Sequence, residues 1–181
     1  MSLGLQGWHV TSTDTMAGGQ FDMLYNNVTD NVVRNYEPTD PDKFMTTRAS
    51  ELDWLNPDQC GSVLEMYGPF DIIIGSDVIY LERLVEPFVN VLDMASTQTA
   101  RAPIIYLCVE QRNAASHELL MNLLAARNYS VKRIMAKGWP AQCGPFDKHV
   151  HLMKIQKKKR GGAKKMDSSN SVDNLVRLQS V

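Results

Sequence analysis

The sequence predicts an α/β fold with a doubly wound, mostly parallel sheet that ends in an antiparallel pair of strands. Short β-branched stretches alternate along the chain with segments of helical periodicity, which is typical of parallel strands joined by helices. The clearest strand, at 70–75, is apolar on both faces, as a central parallel strand must be. The last two predicted strands follow one another directly, which implies an antiparallel, hairpin-like ending. Together these observations indicate a Rossmann-like sheet with helices on both faces.

Length and composition limit the class of protein. The chain has 181 residues, of which 44% are hydrophobic and 22% are charged, so we expect one globular domain. The longest apolar run, 104–109, is far shorter than the ~20 residues of a membrane helix, and residues 1–8 lack the features of a secretory signal. We therefore expect a cytoplasmic protein, or a nuclear one if its basic run is a nuclear address.

Charge is distributed unevenly along the chain. The net charge is -1, yet residues 154–165 hold seven basic residues and no acid, which leaves 12 basic against 20 acidic residues elsewhere. We expect a folded domain over 1–156 and a basic, disordered tail over 157–181. The acidic body favours a basic protein surface as partner and disfavours nucleic acid, except at the tail. Three cysteines without C-x-x-C spacing indicate reduced thiols.

Each element of the fold has its own local signal. Strands are indicated by β-branched or apolar runs, which end at polar or glycine residues. Helices are indicated by apolar residues three and four positions apart, as at Phe21, Leu24 and Val28. In chain order the predicted elements are a strand at 9–13, a helix at 20–35, strands at 45–53 and 70–75, a helix at 81–95, a strand at 104–110, a helix at 114–127, and strands at 129–135 and 150–155.

Several polar residues follow predicted strands, where ligands bind in sheets of this kind. Asp14 can accept hydrogen bonds from the vicinal hydroxyls of a ribose, although capping of the next helix is an equal alternative. Asp53 and Trp54 can receive an adenine, although a turn acid and a core aromatic explain them as well. The other residues at strand ends are Ser76, Asp77 and Glu110.

These segments, in this order, resemble the seven-β-strand methyltransferases, and most of all the protein-lysine methyltransferase-like group named methyltransferase family sixteen. The resemblance covers about residues 5–155, and the run 70–80 is its most specific part. It rests on Val-Thr-Ser-Thr-Asp at 10–14, Met-Leu at 23–24, residues 27–31, Leu-Asp-Trp at 52–54, Phe-Asp-Ile-Ile-Ile-Gly-Ser-Asp-Val-Ile-Tyr at 70–80, and Tyr-Leu-Cys-Val-Glu-Gln-Arg at 106–112.

The resemblance implies binding of S-adenosylmethionine and methylation of a lysine in a protein substrate. It places Asp14 on the ribose, Asp53 and Trp54 around the adenine, and Ser76 near the methionine end of the cofactor. Asp77 also lies near that end, and with Tyr80 it matches the Asp-x-x-Tyr that borders the entry of the target lysine in this group, so these two are the predicted catalytic residues.

The family's first strand and its Gly-rich turn have no counterpart in this sequence. In the family that strand lies centrally, between the strand ending at Asp14 and the strand at 70–75, so we expect the sheet to lack its first strand. The expectation is an N-terminally truncated or degenerate chain whose activity alone is in doubt, because buried backbone groups need partners.

Alternative functions remain open at the level of sequence. The alternatives are a non-catalytic interaction module derived from this fold and another enzyme with an adenosine cofactor. His149 and His151 share a face of the last strand, near Cys143, but exposed histidines on an edge strand are more probable than a metal site, so no metal is predicted.

Overall fold

The structure is a computed structural model, and it describes residues 8–35, 47–97, 101–135 and 149–158. The predicted tail beyond residue 158 and Cys143 lie outside these ranges. The strands are β1 (Val10–Asp14), β2 (Thr47–Glu51), β3 (Ile72–Ser76), β4 (Ile104–Glu110), β5 (Tyr129–Ile134) and β6 (Val150–Lys157), and the α-helices are α1 (Gln20–Asn35), α2 (Pro57–Tyr67), α3 (Glu82–Thr97) and α4 (Ala114–Ala126).

The strands form two sheets, and their directions confirm the predicted fold class. β1 pairs in parallel with β2, and β3 pairs in parallel with β4. β6 lies between β4 and β5 and is antiparallel to both, which is the predicted ending. The described strands therefore have the order β1–β2 in one sheet and β3–β4–β6–β5 in the other.

One hydrophobic core supports the four-stranded sheet. Alternate residues of β4 turn inward and meet α3 and α4, because successive side chains of a strand point to opposite faces. The buried members of this core all lie between residues 79 and 155: Ile79, Val85, Phe88, Val89, Leu92, Ile105, Leu107, Val109, Leu120, Leu124, Tyr129, Met153 and Ile155.

The two-stranded sheet has far less buried surface. In the described part of the chain before residue 68, the buried residues are Thr47, Cys60 and Leu64. Helix α1 follows its predicted bounds and contacts both strands of this sheet, yet Met23 and Tyr25 on it are exposed. Tertiary packing therefore stabilises this part of the molecule much less than it stabilises the other.

Four expectations need correction or adjustment. Helix α2 was not predicted, although Asn56 caps it by accepting from the Gln59 N–H at 3.1 Å and a proline opens it. β3 has no partner on one side among the described strands, so it does not lie centrally here. β6, which includes His151, is an internal strand, so the expected edge strand is wrong, and His149 lies exposed in the turn before it. Lys157, where the predicted tail begins, is the last residue of β6.

Candidate functional site

The connection after β3 holds the two predicted catalytic residues. Asp77 has a positive φ of 54°, and its N–H donates to the carbonyl oxygen of Cys108 at 2.9 Å. A positive φ is uncommon for a residue other than glycine and persists only where the surrounding structure holds it, so Asp77 marks a sharp, well-held turn. Ile79 is buried in the core two residues later, which fixes the turn and leaves the Tyr80 ring about half exposed. Side chains at this turn are therefore accessible on a rigid support.

Gly75 allows β3 to approach the core just before this turn. A Cβ at this position would lie 2.9 Å from Leu107 Cδ2, which is closer than real Cβ contacts. A side chain here would displace the fully buried Leu107 side chain or shift β3, whose last residue is Ser76. The glycine thus allows β3 and the Leu107 side chain to pack closely.

An acidic pair at the ends of β3 and β4 binds one guanidinium group. Arg112 Nη2 lies 3.3 Å from Asp77 Oδ2 and 2.7 Å from Glu110 Oε2. Hydrogen bonding to Glu110, and then the charge of Asp77, raise the pKa of the Arg112 guanidinium above its ordinary value. Sequence reasoning did not assign a role to Arg112, although a basic residue two positions after a strand-terminal acid is a usable signal. The carboxylates at this edge therefore accept hydrogen bonds from a cation.

Asp14 lies at the corresponding end of β1. Its Oδ1 accepts from the Thr15 N–H at 2.8 Å, and Thr15 Oγ1 accepts from the Ala17 N–H at 3.3 Å. Thr15, rather than Asp14, therefore bonds to the turn that leads into α1. The Asp14 carboxylate is exposed and has four lone-pair sites, so it keeps the capacity to accept from two hydroxyl groups.

Asp53 and Trp54 follow β2 in a tight turn. Asp53 Oδ1 accepts from the Leu55 N–H at 2.9 Å, and the Asp53 N–H donates to Gln59 Oε1 at 2.7 Å. The Trp54 ring packs against Phe88 with centroids 4.8 Å apart, so it contacts the core, and its remaining surface is accessible. Both structural alternatives considered for these residues are thus observed, and neither occupies the whole side chain.

The thiol of Cys60 lies under this turn and donates to the carbonyl oxygen of Asp53 at 3.2 Å. Burial, and then the negative charge of Asp53, raise the pKa of the Cys60 thiol above its ordinary value. The thiol stays protonated at neutral pH, so it supports the turn and is not a nucleophile.

The structure brings together some of the predicted residues and leaves others apart. Asp77, Glu110 and Arg112 form one ion cluster. Within the described ranges, no hydrogen bond or ion pair joins Asp14 or Asp53 to this cluster. A groove of about 730 Å³ lies between β1 and β3, where the two sheets face each other.

Within the ranges that the structure describes, no three His, Cys, Asp or Glu side chains stand close enough to share a metal ion. His117 and His151 form an edge-to-face ring pair with centroids 5.5 Å apart. None of the described helices has the length and apolarity needed to cross a bilayer.

Comparison with known families decides the relationship. The model of a family described as lysine methyltransferase matches residues 3–126, which is more than half of the chain. The chain belongs to the lysine methyltransferase family. The match includes all six residues predicted for its site, from Asp14 to Tyr80, and it confirms the family that the sequence resembles.

Among solved structures, a candidate rRNA methylase from Clostridium thermocellum is similar with a TM-score of 0.49 and 13% identity, over 84% of this chain and 74% of that one. No curated protein matches the chain significantly.

Proposed function

We propose that this chain is an S-adenosylmethionine-dependent protein-lysine N-methyltransferase. The observation that carries the proposal is the family match across the segment that holds all six predicted site residues. The accessible carboxylates at two neighbouring strand ends support it, because polar groups at such ends bind ligands in parallel sheets. The cofactor, when bound, supplies an electrophilic methyl group on a sulfonium sulfur.

Residues at or just after the carboxyl ends of β1, β2 and β3 would hold that cofactor. The exposed carboxylate of Asp14 suits two ribose hydroxyls, and its bond to Thr15 fixes its orientation. Asp53 and the accessible part of Trp54 suit the amine and the ring of adenine. Ser76, the last residue of β3, suits the methionine part.

Asp77 and Tyr80 would act on the incoming lysine. A lysine side chain has a pKa near 10.4, so most of it is protonated at pH 7 and the site must orient the neutral minority. Asp77 would accept a hydrogen bond from the amine, in competition with its ion pair to Arg112. The exposed Tyr80 ring would stabilise the positive charge that develops as the methyl group is transferred.

Methyl transfer tests this proposal directly. The chain is incubated with a protein extract and tritiated S-adenosylmethionine, and acid hydrolysates are analysed for methyllysine. We expect methyllysine from the unchanged chain and at least a roughly tenfold loss for Tyr80→Ala, since the ring would stabilise charge in the transition state. Tyr25→Ala removes an equally exposed tyrosine on α1 and should keep full activity. Methylarginine or methylated RNA in place of methyllysine would contradict the lysine assignment.

An interaction module is the second candidate, and one observation favours it. β1 and β3 border a groove, and among the described residues neither strand has a partner on the side that faces it. A module of this kind would bind a protein and would bind neither S-adenosylmethionine nor S-adenosylhomocysteine. Binding of a nicotinamide dinucleotide instead would indicate the third alternative, another enzyme with an adenosine cofactor.

A further inference from the structure

Glu110 holds the Arg112 side chain more tightly than Asp77 does. Nε and Nη2 of Arg112 lie 2.8 Å and 2.7 Å from the same oxygen of Glu110, Oε2. Nη2 lies 3.3 Å from Asp77 Oδ2, which is longer than the usual hydrogen bond between charged groups. The Arg112 guanidinium is therefore anchored on Glu110, and its contact with Asp77 is the one that a competing group can replace.

The backbone on both sides of this contact is fixed. The Asp77 N–H donates to the carbonyl oxygen of Cys108 in β4 at 2.9 Å. The Gln111 N–H donates to the carbonyl oxygen of His149, just before β6, also at 2.9 Å. The pairing of the strands thus places Arg112 next to Asp77, and only side chains need to move when a ligand reaches them.

Arg112 changes what the Asp77 carboxylate attracts. The side chains of Arg112 and Asp77 are 56% and 49% exposed, so an amine from solvent can reach both. The guanidinium keeps its charge at all physiological pH values, so it repels a protonated amine that approaches Asp77. A neutral amine is not repelled in this way, and the carboxylate still has lone pairs that accept from it. The fixed positive charge therefore selects against the protonated form.

Methyl transfer to lysine needs the form that Arg112 favours. The bond between nitrogen and the methyl carbon forms as the carbon–sulfur bond breaks, so the nitrogen must carry a lone pair, which a protonated lysine lacks. Without Arg112, Asp77 would bind mostly protonated lysine, because that form is by far the commoner at pH 7. Such binding occupies the site without reaction.

We propose that Arg112 is a positioning residue of the methyl-transfer site, a role that rests on the proposed function. Its guanidinium weakens the binding of protonated amines at Asp77 and so favours the neutral lysine. Glu110 keeps the guanidinium in place when the amine binds to the Asp77 carboxylate. Removal of the Arg112 charge should therefore tighten the binding of protonated amines, whereas removal of a merely structural ion pair would not.

Binding of n-butylammonium, which has the end group of a lysine side chain, tests the charge effect on the full chain without cofactor. The NMR shift of the Asp77 carboxyl carbon is followed at pH 7 while butylammonium chloride replaces sodium chloride at a constant ionic strength of about 50 mM, where screening is weak. We expect the shift per unit of probe to be at least about threefold larger in Arg112→Gln than in the unchanged chain, since an exposed like charge is lost. Arg112→Lys restores the positive charge and should return the shift to within about twofold of the unchanged chain.

Arg133→Gln is the matched control for net charge. Arg133 is exposed on β5, at the opposite edge of the four-stranded sheet from β3. This variant should respond to the probe as the unchanged chain does. An ionic strength of about 0.5 M should shrink the difference between Arg112→Gln and the unchanged chain, because screening removes the repulsion.

Kinetics with the protein that the methyllysine assay identifies give a second readout. Arg112→Gln should lower kcat and KM together by at least about threefold and leave kcat/KM nearly unchanged, because unreactive protonated lysine then occupies more of the sites. Damage to the fold or to the reacting groups would instead lower kcat/KM.

Three results would overturn the proposal. The first is an equal response to the probe in Arg112→Gln and the unchanged chain, including no response in either. The second is an equal gain in Arg133→Gln, which would assign the effect to net charge alone. The third is a fall in kcat/KM that Arg112→Lys does not restore. The proposed function fails separately, through the absence of methyllysine, and the probe would still decide whether Arg112 repels amines at Asp77.

Discussion

The two sheets of this molecule differ in how they are supported. The sheet from β3 to β6 rests on a continuous core in which Ile105, Leu107 and Leu120 have no exposed surface. The sheet of β1 and β2 has one buried residue in its strands, Thr47, and an α-helix with exposed apolar side chains. The proposed catalytic residues follow β3 of the four-stranded sheet. Three proposed cofactor residues, Asp14, Asp53 and Trp54, lie on or beside the sheet of β1 and β2.

Because of this difference, most of the stability comes from one half of the molecule and most of the proposed cofactor residues belong to the other. Most of the apolar burial, and so most of the folding free energy, belongs to the half that carries Asp77 and Tyr80. The half that carries Asp14 is joined to it through the contact of Trp54 with Phe88 and through α2 packing against α3. Substitutions in the two halves should therefore affect stability very differently.

Matched leucine and methionine truncations should show the largest contrast. Leu120→Ala removes a fully buried side chain of α4 and should lower the free energy of unfolding by about 2–5 kcal/mol. Met23→Ala removes an apolar side chain of α1 that is 69% exposed and should change it by less than about 0.5 kcal/mol. Urea denaturation measures both. Equal losses would mean that the β1–β2 half is packed as tightly as the other.

Two glycine substitutions should have opposite signs. Gly75→Ala places a Cβ 2.9 Å from Leu107 Cδ2 and should destabilise the chain by about 1–3 kcal/mol. Gly61→Ala lies inside α2, where the nearest atom is 3.8 Å away, and should stabilise by about 0.5–1 kcal/mol. Thermal unfolding of both variants checks the signs. A harmless Gly75→Ala would show that the Leu107 side chain or β3 moves to make room for the added methyl group.

Removal of the Tyr129 hydroxyl should lower the free energy of unfolding by less than Leu120→Ala does. This hydroxyl lies within 3.1 Å of the Leu92 carbonyl oxygen, Asp93 Oδ1 and Ser96 Oγ. Ser96 also donates to the Leu92 carbonyl oxygen, so that acceptor keeps a partner in Tyr129→Phe. We expect a loss of about 1 kcal/mol in the free energy of unfolding at pH 7.

The same variant tests a pH dependence. Burial, the main cause, raises the pKa of Tyr129 in the folded chain above the value near 10 of an unfolded tyrosine. Its contribution to stability is therefore complete below pH 10 and decreases as the pH rises further, because the unfolded chain then loses the proton first. The difference in stability between the unchanged chain and Tyr129→Phe should shrink above pH 10. A constant difference from pH 8 to 11 would show that Tyr129 titrates normally.

The sequence predicted strands and helices well where hydrophobic periodicity is strong. Ile104–Glu110 matches its predicted bounds, and α1 does too, because in each case burial or helical spacing dominates the local signal. Helix α2 was missed because its buried side chains are only Cys60 and Leu64, so its pattern is weak, and its Asn-Pro start looked like a loop.

The candidate site was predicted residue by residue but not as an assembly. The end of a strand determines which residues lie at the edge of a sheet. The sequence could therefore predict Asp14, Ser76 and Asp77 as residues at that edge. The ion pair of Arg112 with Asp77 depends on the pairing of β3 with β4, a long-range contact that no local pattern encodes. The open groove depends in the same way on how the two sheets are placed.

Calorimetric titration with S-adenosylmethionine tests the central claim most directly. Asp14→Asn removes the carboxylate proposed to hold the ribose, and Asp22→Asn makes the same change at an exposed position in the first turn of α1. We predict that the unchanged chain and Asp22→Asn bind the cofactor with equal affinity and that Asp14→Asn binds at least about tenfold more weakly, as expected for the loss of a charged hydrogen-bond acceptor. Equal affinity in all three, or no binding by any of them, would contradict the account.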